Sequence, residues 1–308
     1  MNWLILMAIN VVSDSTRIFI DNYVTDYYFK GKESVSSKIF YGYAGLFFAL
    51  LIGVIFGVNF SNATVSTIML LILAGFISGI AGIPYYRALE LEDSTSIGIF
   101  LQFAPVLYLI MGWFLLGEKF SPLQLVSFVL ILVAPLVIVF TARKRSRHLK
   151  VKAIMYALLY VIAYVVSALI FVLEGLNGLD IISALVLVQI GKGLGNLAAG
   201  YGRVRWRKRF YTVLRKTKFR VIHPMFLNSI IGIVADFCYR YALIIAPSVA
   251  LASAVSDTAE PIFIFFTGII LTLISPKVGR EKLNKKAILA HMFATILVVA
   301  GVVLMQIT

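Results

Sequence analysis

Apolar residues run along this chain in ten long stretches, separated by short turns rich in Gly, Pro, Asn and charged residues. Each stretch has roughly the 20 residues that an α-helix needs to cross the hydrocarbon layer of a membrane. A membrane β-barrel would instead show alternating segments of about 10 residues. The pattern therefore predicts ten transmembrane helices, over residues 3–28, 38–58, 65–88, 94–116, 122–141, 152–173, 181–201, 222–246, 249–274 and 286–306.

The composition agrees with a membrane protein. Of the 308 residues, 61% are hydrophobic and only 14% are charged, and the mean hydropathy is +0.96. A soluble domain carries about 25% charged residues. The first apolar stretch follows no basic segment and precedes no small-residue cleavage site, so we expect a helix of the mature protein rather than a signal peptide. A single cysteine, Cys238, excludes an intrachain disulfide.

The net charge of +14 lies mainly in alternate loops, at residues 30–38, 143–152, 203–220 and 277–286. The loops between them carry almost no Lys or Arg beyond Lys119. Short basic loops stay on the cytoplasmic side of a membrane. We therefore expect a multi-pass protein of the cell membrane, with the odd-numbered loops in the cytoplasm and both termini outside.

The basic segment 206–220, WRKRFYTVLRKTKFR, mixes cations with aromatic and aliphatic side chains. We expect no nucleic-acid partner, because this loop and the one at 143–152 flank predicted spans closely. Two interpretations of the segment stay open. It could form an interfacial helix on anionic lipid, or it could be a solvated basic loop.

The chain also repeats itself with an offset of five spans. The sequence YYRAL at residues 85–89 is echoed by CYRYAL at 238–243, and Pro105 falls in mid-span opposite Pro261. An odd number of spans in each repeat forces the two halves into opposite orientations across the bilayer. The sequence thus predicts an all-α membrane protein built from two inverted five-helix repeats, residues 1–142 and 151–308.

At these positions the chain resembles the drug/metabolite transporter superfamily, in its ten-helix form with paired EamA-type domains. That pattern has a third span ending in Ala-Leu, a fourth span with a central Pro, a Gly-Glu turn, and a Gly near the end of the last span. The matching residues here are Ala88, Leu89, Pro105, Gly117, Glu118 and Gly301. The resemblance implies an EamA-like domain in each half and secondary transport of small metabolites, without choosing a substrate.

Ionisable side chains deep in the spans are the first candidates for a binding site, because each costs about 2.5–3.5 kcal/mol at a helix centre. Polar groups at similar depth could orient a ligand. The candidate substrate- or ion-binding residues are Asp14, Arg17, Asp21, Gln102, Tyr164, Lys192, Asp236, Arg240, Asp257 and Glu260.

Asp14, Arg17 and Asp21 are spaced three and four residues apart, so they share one helix face. Either Arg17 is simply neutralised by its neighbours, or one carboxylate is freed when a substrate or a proton arrives. Asp236 and Arg240 have the four-residue spacing of an internal ion pair.

Asp257 and Glu260 lie three residues apart, directly before Pro261. Two carboxylates this close repel each other, so one of them could hold a proton near neutrality. The alternative is partnership with Lys192 or Arg17. Pro261 lacks a backbone donor, and we expect it to break its helix as in transporter binding sites.

Two further patterns concern packing. Tyr156, Tyr160 and Tyr164 form a stripe that is more typical of packing than of a ligand wall, although Tyr164 is deep enough for a pocket. Gln189 is a second mid-span amide that could orient a ligand. Glycines allow close helix approach, and we expect it at Gly79, Gly82, Gly191, Gly193 and Gly195.

The chain lacks a phosphate-binding glycine loop, a His pair at metal spacing and a nucleophile elbow, so we predict no enzyme, no cofactor and no metal site. We predict a secondary transporter that moves a small polar or zwitterionic metabolite, amino-acid-like or drug-like, by alternating access, with proton coupling left open. The alternative is a flippase, or a non-transporting membrane subunit, that handles a lipid-linked group. A homodimer is compatible with either.

Overall fold

A computed structural model of the chain describes residues 2–30, 34–91, 100, 103–142, 150–175, 177, 179–274 and 285–306. Leu89, Pro135 and Pro261 are among the helical positions that it describes by backbone alone. Within these ranges the structure contains helices and no strand. The prediction of an all-α protein is therefore confirmed.

Eleven α-helices are present in the described residues. They are α1 (Trp3–Tyr23), α2 (Lys38–Phe56), α3 (Val65–Leu91), α4 (Phe103–Leu116), α5 (Pro122–Ala142), α6 (Val151–Glu174), α7 (Ile181–Tyr201), α8 (Val204–Lys216), α9 (Ile222–Ile245), α10 (Val249–Ile274) and α11 (Lys285–Gln306). All but α8 lie on the predicted spans. Six of the described helices are long and apolar enough to cross a membrane, namely α1, α2, α3, α6, α7 and α9, and shorter apolar helical stretches lie in α4, α5 and α11. The chain is a multi-pass integral membrane protein.

Local chemistry sets the ends of α1. Asn2 caps its start, since the Asn2 side chain accepts a hydrogen bond from the Leu4 N–H at 3.0 Å. After Tyr23 the backbone widens into a π-helical turn, Val24–Phe29, which ends at Lys30 in the left-handed region with φ of 56°. The span predicted at 3–28 is thus a 21-residue helix followed by a different kind of turn.

Helices from the two parts of the chain pack mainly against each other. The principal pairs are α3 with α7, α3 with α6, α2 with α7, α5 with α11, and α1 with α9. If each helix is exchanged for its counterpart in the other predicted half, the α3–α6 pair becomes the α9–α1 pair. The α2–α7 and α5–α11 pairs each become themselves. The α3–α7 pair would map onto α9–α2, which is a much smaller contact, so the symmetry is partial. The boundaries and inverted orientation of the two halves remain predictions.

The α3–α7 contact is made backbone to backbone. A Cβ atom added at Gly191 on α7 would overlap the carbonyl oxygen of Ile72, and one at Gly79 on α3 would lie 2.6 Å from the carbonyl oxygen of Lys192. Only glycine leaves room for this approach. The predicted close packing at Gly79 and Gly191 is confirmed, and we call this interface the glycine seam.

The basic segment is helical as far as Lys216, and its contact with anionic lipid stays a prediction. The apolar side of α8 faces the protein, where Trp206, Phe210 and Val213 are buried. Arg209 adds a hydrogen bond to the carbonyl oxygen of Phe29 at 2.6 Å. The helix therefore rests on the π-helical turn and its neighbours, with most of its cations exposed.

One expectation about helix shape is wrong. Pro261 was expected to break its helix, but α10 continues through this position from Val249 to Ile274. A proline removes one backbone donor, and a helix with well-packed neighbours tolerates that loss. Pro84 likewise lies inside α3.

Candidate functional site

The first group of candidate residues lies on α1, facing α9 and α10. A guanidinium nitrogen of Arg17 lies 3.2 Å from a carboxylate oxygen of Asp14. The Asn10 amide, one turn earlier, donates to the other Asp14 oxygen at 3.0 Å and to the carbonyl oxygen of Ala235 at 3.1 Å. Its own oxygen accepts from the Ser256 hydroxyl at 2.6 Å. A polar chain thus joins α10 to the ion pair on α1.

Asp21 has its hydrogen-bond partners on other helices, although it was expected to share a face with Arg17. Its Oδ1 accepts hydrogen bonds from the Tyr41 hydroxyl at 2.7 Å and from the Asn228 amide at 2.9 Å. Asn228 also donates to the Tyr41 oxygen at 2.8 Å. This carboxylate therefore ties α1 to α2 and α9, while Arg17 still interacts with it through space.

Asp236 on α9 lies between two cations. Its Oδ2 is 3.2 Å from the Lys192 ammonium on α7, and its Oδ1 is 3.3 Å from Nε of Arg240. The predicted Asp236–Arg240 ion pair is present, and the pair with Lys192 extends it to a triad. One carboxylate and two cations leave the triad with a net charge of +1.

Arg240 is the most buried member of the triad. It is only 2% exposed. One terminal nitrogen donates to the Ser167 hydroxyl at 3.2 Å, the guanidinium carbon lies 5.3 Å from the centre of the Phe171 ring, and the other terminal nitrogen has no hydrogen-bond partner within the described structure. Such a group is costly unless its neighbours compensate.

Asp257 and Glu260 face α1 from α10. The Ser253 hydroxyl donates to Asp257 at 3.3 Å. Both carboxylates interact electrostatically with Asp14, and Glu260 also interacts with Arg17. Of the two cations named as alternative partners, Arg17 is therefore the neighbour of Glu260. Lys192 is engaged with Asp236.

Aromatic rings pack beside these charges. Tyr164 stacks on Tyr160, with ring centres 6.0 Å apart, and packs against Tyr239 at 5.8 Å. Tyr85 on α3 meets Tyr160 at 5.0 Å. The tyrosine stripe of α6 is thus used for packing at Tyr160 and Tyr164.

The two glutamine candidates differ in what the structure shows. Gln102 lies outside the described residues. Gln189 is 9% exposed on α7, beside Asp236 at a small recess.

Sequence reasoning missed three polar contributors, Lys38, Tyr41 and Asn228. Lys38 was counted among the loop cations, but it is the first residue of α2, and its ammonium lies over the rings of Tyr41 and Tyr86 at 5.9 and 5.5 Å. Its position at the first residue of an apolar stretch, three residues before Tyr41, was the available signal. Asn228 had no comparable sequence signal, because the sequence does not show which residue an isolated amide within a span will contact.

Two carboxylates outside this charged interior accept hydrogen bonds from residues near the start of a helix that is distant in the sequence. Glu118, from the turn between α4 and α5, accepts from the Val249 N–H at 2.7 Å and from the Ser248 hydroxyl at 2.9 Å, at the start of α10. Glu174, at the end of α6, accepts from the Thr67 hydroxyl of α3 at 2.9 Å. The Gly-Glu turn noted in the sequence therefore works as a helix cap.

Asp180 caps α7 from outside the predicted span. Its carboxylate accepts from both the backbone N–H and the hydroxyl of Ser183. Burial alone would raise the pKa of Asp180, but these hydrogen bonds outweigh burial and hold the pKa below its ordinary value.

Comparison with known proteins gives a family match for part of the chain and a similar fold for nearly all of it. Residues 28–140 match the EamA-like transporter family, and this segment runs from the π-helical turn into α5. No curated protein matches the chain. A solved structure described only as "Crystal structure of protein" is similar over 97% of this chain and 96% of that chain, with a TM-score of 0.58 and 13% sequence identity. At that identity the likeness concerns the fold alone, and it extends over nearly all of both chains.

Proposed function

We propose that this chain, whose residues 28–140 match the EamA-like transporter family, is a secondary transporter that moves a small polar or zwitterionic metabolite by alternating access. The domain supports a membrane transporter of the drug/metabolite type. The nature of the cargo and the coupling to protons rest on the charged interior alone.

The observation that carries the proposal is the charge balance at the contact between α1 and α10, which belong to different predicted halves. Asp14 and Arg17 form an ion pair on α1, and Asp257 and Glu260 interact with that pair from α10. Within the described residues, Asp14, Asp21 and Glu260 interact with the Arg17 guanidinium, and Asp257 interacts with Asp14. A site with both signs of charge suits a zwitterionic cargo, whose ammonium could meet the surplus carboxylates.

Coupling to protons follows from the same surplus. Asp14, Asp257 and Glu260 interact as like charges, so a proton or a cargo cation relieves their repulsion, and the two can replace each other. In alternating access, a midplane site between two related halves opens to one side at a time. Exchange of a proton for the cargo at Asp257 or Glu260 would link the gradient to the movement of cargo.

The test is transport into proteoliposomes with and without a pH gradient. A panel of amino acids and amphipathic amines is first screened for thermal stabilisation of the purified protein, because a ligand of the native state raises its apparent stability. The stabilising compound is then used as labelled cargo for wild type, Asp257→Asn and Glu260→Gln. Asp180→Asn is the matched control, since it replaces an acid with an amide that can still cap α7.

We expect the gradient to accelerate flux in wild type and in Asp180→Asn, and to lose that effect in the two interior variants. Flux that does not respond to the gradient in wild type, or that responds equally in all four proteins, would overturn proton coupling. Failure of every cargo to cross in wild type would overturn the transporter itself.

A further inference from the structure

A cavity of about 260 Å³ lies between α2, α7 and α9. Its wall is formed by Ile52 and Phe56 of α2, Ile182 of α7, and Ile233, Phe237 and Cys238 of α9. Phe56 is 64% exposed at the rim. Both α2 and α9 meet the length and hydropathy of a membrane span, and Phe56 is the last residue of α2, so we infer that this rim faces the bilayer near one end of the spans.

The cavity lies beside the contact between α2 and α9. At one end they are held together, where the Asn228 amide donates to Tyr41 at 2.8 Å and the rings of Phe48 and Phe226 lie 5.5 Å apart. Beyond Phe48 the next residues that face α9 are Ile52 and Phe56, and these line the cavity instead. The opening is therefore a sideways gap between two spans.

A smaller recess, mostly apolar but with two polar residues in its wall, adjoins the apolar cavity. It measures about 20 Å³ and shares Ile52, Ile233 and Phe237 with the larger space, but its wall also includes Gln189 and Asp236. Gln189 lies seven residues after Ile182 in the sequence, which places it roughly 10 Å further along α7. A route thus leads from the lipid-facing rim to the charged triad.

We propose that this cleft binds an amphiphile dissolved in the membrane, with one apolar chain and a small hydroxyl head, which enters sideways between α2 and α9. The apolar chain occupies the space lined by Ile52, Phe56 and Phe237. The head reaches Asp236 and Gln189. This site goes beyond the proposed function, because its ligand arrives from the bilayer and its occupation requires no transport.

The chemistry of the recess selects the head group. A volume of about 20 Å³ holds one group the size of a water molecule. The Asp236 carboxylate has about four acceptor positions, and Lys192 and Arg240 are its two ion-pair partners. A hydroxyl can donate to a remaining position. Asp236 is the member of the triad that lines the recess, so a carboxylate head would meet a like charge there. Lys192 and Arg240 already compensate Asp236, so an ammonium head would add a third cation to one carboxylate.

Cys238 is a built-in reporter, since it is the chain's single cysteine and lines the cavity. The full-length protein in lipid nanodiscs is treated with an alkyl maleimide, in the absence or presence of 1-dodecanol, dodecylamine or dodecanoic acid. A bound ligand should slow the alkylation by a factor of 1 + [L]/Kd, about tenfold at nine times the Kd. We expect this protection from dodecanol and little from the two charged analogues.

Two variants separate occupation of the cleft from a general lipid effect. Ile52→Trp fills the cavity and should abolish protection by dodecanol. Val54→Trp is the matched control, because Val54 lies on the same helix, is 75% exposed and does not line the cavity; it should keep the protection. Each rate is divided by that of the same variant without ligand, and gel filtration checks that both variants fold.

Binding of tritiated dodecanol provides a second measurement that does not depend on the reactivity of Cys238. One molecule per chain is expected in wild type, and none in Ile52→Trp. Protection by dodecylamine or dodecanoic acid equal to that by dodecanol would overturn the hydroxyl head. Absence of both protection and binding would overturn the site and leave the transport proposal untouched. Binding as expected would favour the lipid-handling alternative raised by the sequence.

Discussion

Glu118 offers the most direct test of how the two parts of the chain are fastened together. Its carboxylate leaves the short turn between α4 and α5 and accepts two hydrogen bonds at the start of α10, from the Val249 N–H and the Ser248 hydroxyl. The first backbone donors of a helix have no partner within the helix. Removing the carboxylate by Glu118→Ala therefore leaves the Val249 N–H without its acceptor.

The magnitude follows from the number and kind of bonds lost. A hydrogen bond to a charged acceptor contributes about 1.5–3 kcal/mol, and a negative charge at a helix N-terminus about 0.3–1 kcal/mol. Glu118 is only partly buried, so water replaces part of what is lost. We expect Glu118→Ala to lower the free energy of unfolding by about 2–4 kcal/mol. Glu118→Gln keeps one acceptor oxygen and should lose about half as much.

The assay is equilibrium unfolding in mixed detergent micelles, with Lys119→Ala as the control. Lys119 is the next residue and is exposed, so its removal should change the free energy of unfolding by less than about 0.5 kcal/mol. Combining Glu118→Ala with Ser248→Ala completes a double-mutant cycle, in which a coupling energy of about 1 kcal/mol is expected. A Glu118→Ala protein as stable as Lys119→Ala, or strict additivity with Ser248→Ala, would refute the capping role.

Three further predictions concern other contacts and use the same unfolding measurement. Gly191→Ala forces the glycine seam apart, because its Cβ would overlap the Ile72 carbonyl, and it should lower the free energy of unfolding by about 1–3 kcal/mol. In the control Gly53→Ala the nearest neighbour of the new Cβ would be 3.7 Å away, so the free energy of unfolding should change by less than about 1 kcal/mol. Equal effects of the two substitutions would contradict the role of the seam. Asp236→Asn removes the carboxylate shared by two cations and should cost about 3–5 kcal/mol, with part recovered by adding Lys192→Met; no recovery would count against the triad. Asp180→Ala should cost about 1 kcal/mol at neutral pH and Asp180→Asn much less. Because the folded pKa of Asp180 is lowered, its contribution is present above the unfolded pKa and is lost as the pH falls through the folded pKa, so wild type and Asp180→Ala should converge in acid.

The spans could be predicted from the sequence because a membrane imposes one length on every helix that crosses it. The predicted bounds of α2, α7 and α10 differ from the structure by at most two residues. Local deviations were harder to predict. The π-helical turn after Tyr23 interrupts an apolar stretch without any Gly or Pro, and Pro261 lies inside a continuous helix. Neither feature alters the spacing of apolar residues from which the spans were predicted.

The same division holds for the candidate site. Pairs within one helix, Asp14 with Arg17 and Asp236 with Arg240, follow from the helical period, and both are present in the structure. Pairs between helices could not be foreseen, because they depend on how far each span is shifted along its neighbour. The partners of Lys192 and Asp21 are of this second kind. The sequence identified the charged groups but could not assign these pairs.

The glycine seam restricts how the molecule can change shape. With carbonyl oxygens of one helix seated on glycine Cα atoms of the other, a slide of α3 along α7 would drive neighbouring side chains into space that only a hydrogen atom can occupy. The two helices can therefore part or stay joined, with no intermediate register in which they still touch. This contact should therefore have two states, joined and separated, and partly opened states should be short-lived.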